Sequence, residues 1–189
     1  MIRNRKQAFV LTDKINDPLD LYEHLPFQIA VVSNLLQLNR DLAIREIVEL
    51  DPRELRVILN IGSYMPIKAA DIAYQSRLDS YTISRAVKVL KNLKMIDVMQ
   101  DESNKKVKFL VLTDTGKAVY QQLCEVINRR TKILEAAINE DEKALLMELL
   151  AKIEDKAESM LAATAIKELE KGRTIPADQK EIIRWSKRG

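Results

Sequence analysis

Asp79-Ser80-Tyr81-Thr82-Ile83-Ser84-Arg85-Ala86-Val87-Lys88-Val89-Leu90-Lys91-Asn92-Leu93-Lys94 is the stretch on which the reading of this chain turns. Asp79 is a good N-cap, because its carboxylate can accept from the first free N–H groups of a helix. Behind it, Ile83, Val87, Leu90 and Lys94 fall on one side at helical spacing, with Ala86 and Leu93 beside them. Ser80, Tyr81, Thr82, Ser84, Arg85, Lys88 and Lys91 fall on the other side. The spacing thus predicts a helix with one apolar stripe and one face of hydroxyls and cations. Such a face suits phosphates and base edges in a major groove. The plainer alternative is a surface helix with a solvated basic face, and the flanking sequence decides between them.

Upstream, Asp51-Pro52 reads as an N-cap followed by proline at the first helical position. Leu55, Ile58, Leu59 and Gly62 point inward from a helix ending near Ser63, and Met65-Pro66 breaks it. A short helix from about Lys68 to Gln75 follows, then a tight turn at Ser76-Arg77-Leu78. This is the layout of a helix-turn-helix, with the opening stretch as its second helix. Downstream the period changes from 3.6 toward 2. Ile96 to Gln100 and Val107 to Leu112 read as paired strands around the polar turn 101–106. Lys105 and Lys106 lie near the tip of this hairpin, where they can meet backbone phosphate or a minor groove. Lysines on an exposed hairpin also block edge-to-edge aggregation, and both readings can hold together.

The outer segments read as helices. One long helix is expected from about Pro26 to Val48, carrying two apolar stripes. Two stripes exceed what a single core face needs, so this helix is expected to pack on its own core and on a second chain. Thr113 can cap a helix from Asp114 to about Ala137, and Asn139 a last one from Glu140 to about Glu170, closed by Gly172. Their length and amphipathicity mark dimerisation elements. The expected division is a mobile arm over 1–17, a long N-terminal dimerisation helix over 18–50 and a winged helix over 51–113. C-terminal dimerisation helices over 114–171 and a basic tail over 172–189 complete it. The fold class is mainly α with a small β-wing. After Pro176 the tail has Ile182, Ile183 and Trp185 as its only large apolar groups. Docking on a partner subunit, basic contacts to DNA and disorder are all compatible with it.

Composition agrees. Apolar residues make up 47% of 189, enough for a core, while four Gly and five Pro leave few interruptions to helix. Net charge is only +3, but residues 52–112 hold 11 Lys and Arg against 6 Asp and Glu, while 18–51 hold 2 against 6. A basic centre with acidic flanks suggests a polyanion partner for the centre alone. No stretch approaches the roughly 20 apolar residues of a membrane span. No apolar signal core follows the charged N-terminus, so a cytoplasmic location is expected. The single Cys124 cannot form an internal disulfide and is expected to pack as a small apolar residue. One His, no glycine-rich phosphate loop, no Cys/His metal spacing and no Gly-x-Ser-x-Gly argue against an enzyme, a cofactor or a metal site.

Over about residues 20–165 the chain resembles the MarR (multiple antibiotic resistance regulator) family of winged-helix transcription factors. Asp71-Ile72-Ala73 sits where that family has Glu-Leu-Ala. Thr82-Ile83-Ser84-Arg85-Ala86-Val87, followed by Leu90 and Leu93, is similar to its recognition-helix signature. Leu112-Thr113-Asp114-Thr115-Gly116-Lys117 closely resembles its Leu-Thr-x-x-Gly-Arg/Lys junction after the wing. Two departures stand out. Lys94 replaces the glycine usual before the first wing strand, and Asn104-Lys105-Lys106 replaces Asp-Arg-Arg, keeping charge but losing the bidentate arginine fork.

The resemblance implies a homodimer on a pseudo-palindromic double-stranded DNA site, often released by a small aromatic or phenolic ligand. Ser80, Thr82 and Ser84 would then serve phosphates or base edges, with Tyr81 on the same face. Arg85 would read a guanine or clamp a phosphate, while Lys88, Lys105 and Lys106 would hold backbone. For Arg85 the plain alternative is an ion pair with Asp79 or Asp101. A ligand pocket is expected where the first helix, the recognition domain and the Asp114 helix meet, with Tyr64, Tyr81 or His24 as candidate lining. Two other classes stay open: a winged helix that scaffolds protein complexes without DNA, and an architectural DNA protein of weak sequence preference.

Overall fold

Most helix starts are written locally. Asp51 and Glu54 exchange hydrogen bonds across a complete capping box that opens α3, Pro52–Tyr64. Asn139 and Glu142 do the same for α7, Glu140–Glu170. Asp79 caps α5, Ser80–Asn92, and Thr113 caps α6, Asp114–Glu135. The computed structural model describes residues 9–101, 103–105 and 107–188. Residues 1–8 of the expected arm therefore lie outside the described residues.

The centre is a winged helix. α3, α4 (Ala69–Ser76) and α5 pack around Leu55, Ile58, Ile61, Ile72, Ile83 and Leu90, all at most 1% exposed. Leu123 of α6 completes this core. The antiparallel strands β1, Ile96–Gln100, and β2, Lys108–Leu112, pair from Ile96 opposite Leu112 to Gln100 opposite Lys108. Ile67 bridges Leu110 on the other edge of β2 through two backbone hydrogen bonds of 3.2 and 2.8 Å, tying the hairpin to the entry of α4.

The junction after the wing has a clear physical basis. Thr113 Oγ1 donates to the Lys94 carbonyl at 2.7 Å and accepts the Gly116 N–H at 3.1 Å. A Cβ at Gly116 would lie 1.9 Å from the Met95 carbonyl oxygen, so this position admits no side chain. Lys94, where the resembled family has glycine, adopts φ 56°, the left-handed region that glycine would occupy without strain.

The expected long helix over Pro26 to Val48 is broken. α1 spans Leu25–Leu36, a 3₁₀ turn covers Leu38–Arg40, and α2 spans Leu42–Ile47. Two observations account for the break. Asp41 caps α2 through the Ala43 N–H at 3.0 Å, which starts a new helix. Arg130 of α6 donates to the carbonyls of Leu36 and Leu35 at 3.0 and 3.3 Å, satisfying the free C-terminal carbonyls of α1. α1 has no buried residue, while α2 buries Ile44. No helix among the described residues is long and apolar enough to cross a membrane.

The tail is ordered. Gly172 at φ 73° ends α7, and α8, Ala177–Trp185, packs back on α7. Ile175 and Glu181 are buried.

Candidate nucleic-acid interface

The polar face of α5 is built from its N-cap upward. One Asp79 carboxylate oxygen accepts the Thr82 N–H at 2.8 Å and the other accepts the Thr82 hydroxyl at 2.7 Å. These hydrogen bonds, the side-chain one foremost, hold the Asp79 carboxyl below the ordinary aspartate range. They also commit the hydroxyl proton of Thr82, leaving its oxygen as an acceptor only. Ser80, Tyr81, Ser84, Arg85 and Lys88 are exposed, and Ile83, Ala86 and Leu90 beneath them are buried. The Arg85 guanidinium stands 5.7 Å from the centre of the Tyr81 ring. The alternative ion pair with Asp79 or Asp101 is not formed. Asp79 is engaged as above, and Asp101 accepts the N–H groups of Ser103 and Asn104, both at 2.9 Å.

That Asp101 turn shapes the wing tip. The Ser103 hydroxyl also donates to Asp101, and Val107 N–H donates to the Asn104 carbonyl at 2.8 Å. Together the hydrogen bonds onto Asp101 hold its carboxyl below its ordinary range. Lys105 is exposed on this turn, whereas Lys106 lies outside the described residues. Lys68, which the sequence pattern does not single out, sits at the N-cap of α4 with its ammonium 5.4 Å from the Phe109 ring. It adds a cation between the helix-turn-helix and the wing.

Arg77, in the turn between α4 and α5, is likewise unmarked in the sequence. Its φ of 51° marks a left-handed C-cap. Its Nε donates to Glu154 of α7 at 2.8 Å, and its Nη1 makes a close ion pair at 2.7 Å with Glu158, without the alignment of a hydrogen bond. Its guanidinium also stands 4.5 Å from the Tyr74 ring and 5.7 Å from the Trp185 ring. Burial works against the charge, but the hydrogen bond to Glu154 and the fields of Glu158 and Glu154 outweigh it and hold Arg77 above an arginine's ordinary value.

Arg77 thus joins the helix-turn-helix to α7 and α8. On α8, the Glu181 carboxylate accepts the Ser80 N–H with both oxygens, at 3.0 and 3.2 Å. Arg188 donates to Asp71 of α4 at 3.1 Å. The sequence signal for this docking is the apolar group Ile182, Ile183 and Trp185 in a basic tail.

A cleft of about 680 Å³ opens between α1, α3 and α7. Ile29, Val32, Leu36, Leu59, Leu146 and Leu150 line its apolar walls, and Gln28, Arg56 and Asn60 supply polar groups. This differs from the expected pocket. α7 replaces the Asp114 helix, and none of the three candidate residues lines it. His24 instead caps α1, accepting the Phe27 N–H at 3.3 Å. Tyr81 lies on the outer face of α5, and Tyr64 borders a separate shallow groove with Ser63 and Gln75. Cys124 is half-buried on α6.

Known proteins fit this geometry. Residues 50–116 match the family described as winged helix DNA-binding domain. A stretch of 82 residues is 32% identical to an uncharacterized HTH-type transcriptional regulator, YybA, of Bacillus subtilis (strain 168). That match takes in 43% of this chain and 55% of the relative, so the chain spans about half the length of the curated relative it matches. Among solved structures, a MarR/EmrR family transcriptional regulator from Acinetobacter sp. ADP1 is 27% identical, covering 75% of this chain and 99% of its own, with a TM-score of 0.68. S. aureus MepR, solved as a complex with DNA, is 15% identical over 69% of this chain and 96% of its own, with a TM-score of 0.61; that likeness is one of fold.

Proposed function

We propose that this chain, whose residues 50–116 match the winged helix DNA-binding domain family and which is similar to a MarR/EmrR family regulator of known structure, is a transcriptional regulator of the MarR type, acting as a repressor in the cytoplasm. It binds a pseudo-palindromic duplex as a homodimer and leaves it when a small aromatic or phenolic ligand binds. One observation carries the reading. The exposed Ser80, Tyr81, Ser84, Arg85 and Lys88 form a single polar face, set on a buried apolar stripe and flanked by the wing. The recognition helices of the two protomers enter successive major grooves about one helical turn, roughly 10 bp, apart. Arg85 reads a base edge or a phosphate. Ser80, Ser84 and the acceptor oxygen of Thr82 meet bases or backbone, and Lys88, Lys105 and Lys106 hold phosphates.

The ligand site of this reading is the cleft between α1, α3 and α7. Its volume lies within the range of roughly 300–1,000 Å³ typical of small-molecule sites. Its apolar walls suit an aromatic ring, and Arg56 and Asn60 suit a carboxylate or a phenol.

The test is selection of bound duplexes from a random pool by wild type and Arg85→Ala in parallel. Enrichment of a palindrome by wild type is the expected outcome. The variant relaxes preference at one position if Arg85 reads a base, since a bidentate guanine contact contributes about 1–3 kcal/mol of discrimination. It weakens all sequences alike if Arg85 clamps a phosphate. Retention without any enriched motif would make the protein architectural. No retention even at low salt would leave a protein-interaction module.

A further inference from the structure

We propose that the C-terminal helix α8 is a third DNA-contacting element, a basic arm that grips phosphates flanking the groove entered by α5. This rests on the DNA-binding reading above and extends it to residues outside the winged helix. Two stripes one residue apart run along α8 and the turn that follows it at 186–188. Glu181, Trp185 and Arg188, spaced i, i+4, i+7, form the docking stripe. They reach Ser80 at the N-terminus of α5, Arg77 in the turn and Asp71 in the first turn of α4, respectively. α8 is therefore laid along the helix-turn-helix itself, with Ile175 buried at its root.

Lys180, Arg184 and Lys187 repeat the same spacing on the adjoining face, about 100° around the helix. All three lie outside the buried set, and none pairs with a carboxylate among the described residues. The acidic member of the tail nearest the recognition helix, Glu181, is buried and turned inward, where the N-terminal amide of α5 takes up its charge. What the docked tail presents outward beside the recognition helix is therefore mainly positive. Three exposed cations, none in an ion pair among the described residues and Arg184 bonded only to the Lys180 carbonyl, match the chemistry of a phosphate backbone and have no base-reading geometry of their own.

The experiment compares the full-length wild type with the triple variant Lys180→Gln, Arg184→Gln, Lys187→Gln on one duplex across a salt series. Because none of the three side chains is part of the core, the variant keeps the fold, which its thermal midpoint checks. The expected result is weaker binding at every salt concentration, by tenfold or more near physiological salt. The log–log salt slope becomes shallower by about 0.9 for each phosphate left without its cation. The pattern of base preference stays as in wild type, unlike that of Arg85→Ala. Equal affinity and slope for variant and wild type would overturn the arm while leaving the DNA reading intact. Tighter binding by the variant would overturn it as well, and would make the tail a brake on the recognition helix. Failure of wild type to bind any duplex would instead sink the reading on which the arm rests.

Discussion

Lys94 and Gly116 are joined through the Thr113 hydroxyl at the junction that fixes the wing. Gly116 is present because the Met95 carbonyl occupies the space where a Cβ would stand. Lys94 holds a left-handed φ with no glycine to relieve it. A left-handed backbone costs a non-glycine residue about 1–2 kcal/mol, and glycine returns about 0.5–1 of that through its larger unfolded-state entropy. Lys94→Gly is therefore expected to stabilise the fold by about 0.5–1 kcal/mol, read as a higher urea midpoint at unchanged slope. Arg77 shares the left-handed geometry but not the prediction, because its side chain ties three helices together. Asp79 adds a pH dependence. Its carboxyl is depressed by hydrogen bonds from Thr82, so its stabilisation is complete above the ordinary aspartate value of about 3.9. It is lost as pH falls below that value through the lower folded one. Acid titration of stability should show this loss in wild type and not in Asp79→Asn, which keeps an N-cap without a titrating group.

At the scale of elements, what the sequence disclosed was whatever its own neighbourhood encodes. The start of α5, the hairpin and the start of α6 follow from Asp79, the alternation in β1 and β2, and Thr113 with Gly116, all within a few residues of what they control. The break after α1 does so only in part. Asp41 caps α2 from within the segment, but the apolar spacing runs on past Gln37, and the end of α1 is held by Arg130, which lies 94 residues from the carbonyl it caps. The docked tail is the same kind of case. Glu181 reaches Ser80 across 101 residues and Arg188 reaches Asp71 across 117, so no local pattern announces α8 as part of the helix-turn-helix surroundings. Arg130→Ala tests the first of these ties. It leaves the Leu35 and Leu36 carbonyls without their charged donor, and hydrogen bonds to charged groups contribute about 1.5–3 kcal/mol. Solvent reaches this site in part, so a loss of about 1–2 kcal/mol is expected in chemical denaturation. Residues of α1 should exchange amide hydrogens faster while α5 keeps its protection.

For the whole molecule, the apolar surface does not close within one chain. α7 runs for 31 residues and buries only Ala162 and Ala165. Leu145, Leu146, Leu149, Ile153 and Met160 stand exposed along it, and α1 adds Leu25, Phe27, Val32 and Leu35. Patches of this extent mark an interface, and the proposed homodimer gives them a partner. Under that proposal α7 would tie assembly to DNA binding, because it holds Arg77, in the turn before α5, through Glu154 and Glu158. Leu145 and Leu149 lie one turn apart on α7 and outside the cleft, so they test the interface without touching the ligand site. Leu145→Glu with Leu149→Glu places two charges where the partner would cover them. Sedimentation should then report one 21.7 kDa chain in place of two. Affinity for a palindromic duplex should fall to that for a single half-site, while half-site affinity itself stays unchanged. A double variant that still sediments as two chains and still holds the palindrome would show that α7 faces something other than its own copy.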